Sequence, residues 1–250
     1  MKANIHLLTT VSLAAAIVAA AVAGGGWTAS AQTSTGTIRG RIRLTGKSPG
    51  NAIIRMGRDP KCAEMNRGKR ILQESVVTSA DGGLANVFVK LQGKFPQTPV
   101  PAAPVAVDQR SCVYIPRMVG ARVGQTVEIK NSDQLLHNVH AISDLTNGFN
   151  VGQPIAGLVH KFVPKAEEMV RVKCEIHSWM TLLIGVVNHP YFAVSGNTGS
   201  FEIARVPPGT YTVEAWHEQY GMLTKTVRVA AGAAATVDFA YTGAEKPAAR

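Results

Sequence analysis

Residues Met169 to Cys174 alternate strictly, with Val170, Val172 and Cys174 toward one side and Met169, Arg171 and Lys173 toward the other. The alternation resumes at Leu182, Ile184 and Val186. A two-residue period is that of a half-buried strand, so the stretch reads as strand, short loop, strand. The inward row ends on a thiol, and the loop that follows places Cys174, His177 and Met180 at three-residue steps. Three soft donors delivered to the end of one core face call for a soft metal.

The same period dominates the rest of the chain, and no segment carries a convincing helical period. Thr37 to Thr45 sets Ile38, Gly40, Ile42 and Leu44 against Arg39, Arg41 and Arg43, which predicts a half-buried strand ended by the turn Gly46 to Gly50. Asp59 to Lys69 is polar, carries Cys62, and reads as a loop or one short helical turn. Strand-like runs follow at Ile71 to Thr78 and Leu84 to Leu91, split by Ala80-Asp81-Gly82-Gly83. The proline-rich stretch from Gly93 to Pro104 is a connector. A new unit starts near Val105: Val119 to Ile129 is strand-like, Asn131-Ser132-Asp133 ends that strand, and His137 opens the next. The expected class is all-β.

The N-terminus reads as a targeting segment. Lys2 precedes an apolar run from Leu7 to Val22, and Ala29-Ser30-Ala31 has the small-x-small form of a signal peptidase site, so residues 1–31 are expected to be removed and the mature chain to begin at Gln32. The alternative is an uncleaved anchor, which the short run, Gly24 to Gly26 and the lack of a basic stop-transfer flank disfavour. Export to a periplasmic or extracellular space makes the three cysteines informative. A metal would hold Cys174 as thiolate and leave Cys62 and Cys112 to pair as a disulfide; the competing reading is three buried free thiols. The formal charge of +10 is compatible with a solvated face or with steering of an acidic partner protein. No basic run interleaved with aromatics points to nucleic acid.

Thiolate, imidazole and thioether together suit copper, and two imidazoles plus one thiolate with a weak axial methionine is the blue-copper arrangement. The loop supplies one imidazole. His137, 40 residues upstream, is the candidate for the other. A tetrahedral zinc site would ask for a second cysteine or a carboxylate in place of Met180. A c-type haem is excluded, since no Cys-x-x-Cys-His occurs.

Gly124 to Val139 (Gly-Gln-Thr-Val-Glu-Ile-Lys-Asn-Ser-Asp-Gln-Leu-Leu-His-Asn-Val), followed by Cys174-x-x-His177-x-x-Met180, resembles the cupredoxins of the plastocyanin and amicyanin group over residues 104–188. The resemblance implies a Greek-key sandwich in which His137, Cys174, His177 and Met180 bind one type 1 copper and Asn138 braces the ligand loop. It also implies that electrons leave through the edge of His177, the ligand nearest the surface in that family. Ile176 stands where many members have proline, and Trp179 is bulkier than usual.

Gly199 to Ile203 and Val206-Pro207-Pro208-Gly209 to Val213 resemble the carboxypeptidase regulatory-like module, a small prealbumin-like sandwich without catalytic residues. That module begins with strands like Gly36 to Gly40 and Asn86 to Leu91. The expected layout is therefore N-terminal strands in 32–103 belonging to the flanking sandwich, a cupredoxin unit at 104–188, a regulatory-like sandwich at 189–243, and a disordered tail at 244–250. The whole order resembles exported proteins labelled methylamine utilisation or plastocyanin-like proteins, a label that specifies no substrate.

The other histidines have plainer readings. His140 falls on the opposite strand face from His137, while His160, His189 and His217 are isolated surface or loop-fixing residues. Glu214, Trp216 and Glu218 read as a solvent-facing edge, and no catalytic set recurs at working spacing. The expectation is a non-enzymatic one-electron carrier with a redox partner protein, no nucleic acid and no lasting membrane span. The alternative is a copper-handling protein, or a surface-associated sandwich with a structural metal site.

Overall fold

The structure, a computed structural model, describes Met1 and residues 34–246. The targeting segment and the last four residues of the tail lie outside the described residues. No helix among the described residues is long and apolar enough to cross a membrane.

The chain forms seventeen strands and one short α-helix among the described residues. Strand β1 (Gly36–Leu44) is followed by helix α1 (Pro60–Met65) and β2 (Phe88–Leu91). The next strands are β3 (Val105–Arg110), β4 (Val113–Ile115), β5 (Met118–Arg122), β6 (Val127–Asn131) and β7 (His137–Ile142). They continue with β8 (Phe149–Gln153), β9 (Val159–Phe162), β10 (Glu168–Lys173) and β11 (Thr181–Val187). The last are β12 (Phe192–Val194), β13 (Ser200–Val206), β14 (Gly209–His217), β15 (Gly221–Val229), β16 (Ala234–Thr236) and β17 (Phe239–Tyr241).

Strands β3 to β11 build one sandwich from two sheets, ordered β5-β11-β10-β7-β8 and β4-β3-β6-β9. Their inward rows supply its core, among them Val107, Val127, Ile129, Val139, Val170, Val172, Leu182 and Ile184. The alternation in β10 buries Val170 and Val172 and carries Cys174 into the same core, as its period requires.

The second sandwich draws on both ends of the chain. In one sheet β1 is antiparallel to β13 and parallel to β16 and β17; in the other the order is β12-β2-β14-β15. Ile38 and Ile42 from β1 share a core with Val213 from β14, Ile203 from β13 and Tyr241 from β17.

The sandwiches meet along the outer face of β5 and β11. Met118, Leu183 and Val187 there pack against Phe88. Gly120 and Gly185, register partners in those strands, face Phe192 and Phe88 so closely that a Cβ would sit 2.3 Å and 2.5 Å from ring carbons. This is why β11 reads Leu-Leu-Ile-Gly-Val-Val without polar interruption: both of its faces are covered. Arg117 and Glu218 form a bidentate buried pair at 2.8 Å and 3.0 Å. Glu214 and Glu218 are buried, which corrects the expected solvent-facing edge: a neighbouring sandwich covers it. Lys90 pairs with Glu214 at 3.1 Å.

One other sequence expectation needs correction in part. Of residues 32–103, β1 and β2 pair within the sandwich built from both chain ends. Met56 and Cys62, however, are buried in the core of the β3 to β11 sandwich, with Ile54, Met65 and Ile71 packed against it, because the apolar side chains of that stretch find their partners there. At the start of the tail, Glu245 accepts hydrogen bonds from the backbone N–H of Thr242 and Gly243.

The Cys62–Cys112 disulfide is present, joining α1 to the β3–β4 turn across a sequence separation of 50. Cross-linking a loop of that size restrains the unfolded chain by roughly 4 kcal/mol. Urea denaturation of metal-free Cys62→Ala/Cys112→Ala protein is expected to show a loss of about that size. A loss below about 1 kcal/mol would show that the segment is held by its other contacts.

Candidate metal centre

The end of β10 and the start of β7 lie side by side, since β10 pairs antiparallel with β7 through Lys173 and His140. This register brings Cys174, just past β10, to His137, at the head of β7. The Cys174–Met180 loop closes on itself through Met180 N–H to His177 O at 2.8 Å and Cys174 N–H to Met180 O at 3.3 Å. It turns His177 back toward the thiol.

His137 Nδ1 and His177 Nδ1 are 3.1 Å apart, and Cys174 Sγ is 3.6 Å from His177 Nδ1. One donor atom from each of these three residues lies within 4.8 Å of the others. Met180 is buried in the same core as Cys174. His137 is 0% exposed, and Cys174, His177 and Met180 are each 1% exposed.

The outward nitrogens are held by carboxylates. His137 Nε2 lies 2.9 Å from Asp133 Oδ2, and His177 Nε2 lies 3.1 Å from Asp59 Oδ2. A carboxylate can only accept, so both Nε2 atoms carry their protons and both Nδ1 atoms are turned inward. The two inward Nδ1 atoms and the Cys174 sulfur face one another across a short gap. An inward nitrogen pair with an outward carboxylate on each ring is the arrangement that orients metal-binding histidines.

Each carboxylate is itself fixed. Asp133 accepts from the N–H of Ser111 and of Cys112, both at 2.8 Å; those two residues have φ of 55° and 59°, in the left-handed region. Asn131 sets the turn that presents Asp133 by accepting its N–H at 2.9 Å. Asp59 caps α1 by accepting from Lys61 N–H and Cys62 N–H at 2.9 Å and 3.0 Å. The disulfide closes a ring: His177, Asp59, Cys62, Cys112, Asp133, His137 and back to His177.

Asn138 holds the other side. Its N–H points at Cys174 Sγ at 3.4 Å, and its Oδ1 accepts from Glu175 N–H at 3.2 Å. Trp179 lies beside His177, its ring tilted by 46° at 5.2 Å between centroids, and donates from Nε1 to Cys112 O at 2.8 Å. The bulky side chain thus ties the ligand loop to the disulfide. His140 turns away and bonds Glu175. His189 and His217 are buried loop-fixing residues whose Nδ1 atoms accept from Tyr191 N–H and Gln219 N–H.

Burial opposes ionisation of Cys174, but its contacts with His137 and His177 outweigh it and draw the thiol down to about 6. Burial likewise disfavours protonation of His137 and His177. The bonds of His137 to Asp133 and Cys174, and of His177 to Cys174 and Asp59, nevertheless hold both above the ordinary range. Asp133 stays low because His137 and two backbone N–H groups overcome its burial. In the metal-free protein the thiolate ultraviolet band is thus expected to appear with a midpoint near pH 6. Metal affinity should fall as pH drops below that midpoint, where a proton competes for the sulfur. A midpoint in the free-thiol range, about 8.5, would show that the imidazoles do not hold the thiolate.

The structure thus brings the donor atoms of His137, Cys174 and His177 together, sets Asn138 against the sulfur and buries Met180 in the same core, and it leaves His140 out. His177 is not at the surface: residues around Asp59 cover its outer edge. Asp133 and Asp59 were missed as site residues. Asp133 stands four residues before His137, a spacing that could have flagged it; Asp59 lies 118 residues from His177 and gave no signal of the contact.

Over residues 184–242 the chain matches the family model of the carboxypeptidase regulatory-like domain. No curated protein matches. Among solved structures, the chain is similar to a purple cupredoxin from Nitrosopumilus maritimus, at 22% identity over 33% of this chain and 98% of that one, with a TM-score of 0.30. It is also similar to a reduced, Cu(I) form of an amicyanin variant, at 19% identity over 39% and 97%, with a TM-score of 0.31. A third likeness is to the copper-containing nitrite reductase of Thermus scotoductus, at 21% identity over 38% of this chain and 24% of that one, with a TM-score of 0.30.

Proposed function

We propose that the chain is an exported type 1 copper protein that carries single electrons, with His137, Cys174, His177 and Met180 as the copper ligands. The observation that carries the reading is the convergence of two Nδ1 atoms and one thiolate sulfur in a buried site where each imidazole is backed by a carboxylate. When bound, copper in such a donor set supplies a Cu(I)/Cu(II) couple and an intense thiolate-to-copper colour.

The protein's own part is to hold the donors still. Asp133 and Asp59 fix the tautomer and orientation of the rings, Asn138 donates toward the sulfur, and the disulfide braces both carboxylates. All four ligand side chains are sealed from solvent. A substrate therefore cannot touch a ligand atom, which supports a carrier over an enzyme, while an electron needs no such contact. Together with the targeting segment, the disulfide supports a periplasmic or extracellular location.

A second reading is favoured by one observation. Two carboxylates and a thiolate around one site would also stabilise a colourless divalent ion in a structural or handling role. Adding Cu(II) to metal-free protein separates the two. An intense visible band that bleaches on one-electron reduction supports the carrier. A colourless complex, or copper displaced by equimolar zinc, supports the other.

A further inference from the structure

The segment that covers His177 is a closed loop. Its ends are tied by Ile54 N–H to Ile71 O at 2.9 Å and Gln73 N–H to Ala52 O at 2.8 Å. Its underside is stapled to the metal centre by Asp59 on His177, by the disulfide, and by Asn66, which donates to Ser111 O at 3.0 Å. Compact surface loops with paired ends are frequently functional.

The upper side has a different chemistry. Arg55, Arg58, Lys61, Arg67, Lys69 and Arg70 are all exposed, against the two acidic residues Asp59 and Glu64. Asp59 is already engaged with His177, and Glu64 reaches only Arg67, at 3.5 Å. A segment of sixteen residues thus carries a surplus of four positive charges, out of +10 for the whole 250-residue chain. Among the described residues, the other five cations make no side-chain ion pair within the chain. Exposed, unpaired cationic side chains on the segment whose Asp59 bonds His177 form a positive field where a partner would approach.

We propose that the exposed face of residues 54–71 is the docking surface for an acidic redox partner protein, which exchanges electrons with the centre through the covered edge of His177. The proposal rests on the copper-carrier reading, and two measurements keep the two apart. The first needs no metal: metal-free protein is titrated with poly-L-glutamate and followed by amide NMR. Shifts centred on residues 55–70 that vanish at high salt are expected. Shifts centred on other basic strands, such as β1 or β15, would overturn the proposal, as would no shifts at all.

The second follows reoxidation of the reduced copper protein. One electron passes from the protein to hexacyanoferrate(III), giving hexacyanoferrate(II), with no bond made and no proton moved. The charge-reversed variant Arg55→Glu/Lys61→Glu/Lys69→Glu is expected to slow this anionic oxidant about tenfold at low ionic strength. It should speed the cationic oxidant tris(phenanthroline)cobalt(III) and leave the colour unchanged. Rates within about twofold of the parent with both oxidants would overturn the proposal, as would an equal effect from Lys225→Glu/Arg228→Glu on β15. Should copper give no colour, the carrier reading fails, and the poly-L-glutamate titration alone decides whether the loop is an acidic-partner surface.

Discussion

Replacing Cys174 with serine is expected to abolish the visible absorption of the copper-loaded protein and most of its copper affinity, while His140→Ala leaves both nearly intact. The sulfur is the soft donor of the set and the source of the charge-transfer band, and a hydroxyl is neither at neutral pH. Cys174 also receives the N–H of Asn138 and contacts His177, so nothing else in the cluster can take its place. His140 lies on the same strand three residues from His137, yet its ring bonds Glu175 outside the cluster. Titration with Cu(II) followed by absorbance measures both variants. A bleached His140→Ala protein beside a coloured Cys174→Ser protein would refute the ligand assignment.

The second large effect concerns the sandwich built from both chain ends. A fragment of residues 190–250 is expected to show no cooperative thermal transition. It retains β12 to β17 but lacks β1 and β2. Among the described pairings, β1 is the strand to which β13, β16 and β17 are hydrogen-bonded, and β2 joins β12 to β14. Removing them strips the central strand from one sheet and splits the other. It also removes Ile38, Ile42 and Val89 from the core. Open edges and half a core cannot offset the entropy of ordering the chain. Circular dichroism against temperature tests this, and a sharp reversible transition from the isolated fragment would show that the C-terminal strands suffice. The family match over residues 184–242 starts inside β11 and contains neither β1 nor β2.

Much of the centre was legible in one dimension because its donors lie on local structure. The alternation of Met169 to Cys174 follows from the pleat, and a loop too short to wander must keep Cys174, His177 and Met180 together. Cysteine parity, with export expected, pointed to Cys62 and Cys112 as a pair against the competing reading of three free thiols, and the structure has that disulfide. The strand character of Thr37 to Thr45 was equally plain, since its arginines and aliphatic residues alternate without a break.

Asp59 shows where that legibility ended. An Asp before Pro60 carries the local signal of a helix cap, and the structure has that cap. Nothing local says that its second oxygen meets His177, because that contact exists only once the loop folds over the metal centre and the disulfide locks it there. Likewise Glu218 reads as an exposed strand-end acid until Arg117, 101 residues upstream, is packed beside it. The sequence by itself determined the strands whose alternation is unbroken, such as β1 and β10, and the soft-donor loop, since each depends on period or spacing; the run Ile71 to Thr78 alternates too, yet forms only isolated bridges at Leu72 and Thr78. Tertiary structure alone decided that His177 is covered and which carboxylates back the imidazoles, because those depend on which distant segments share a core.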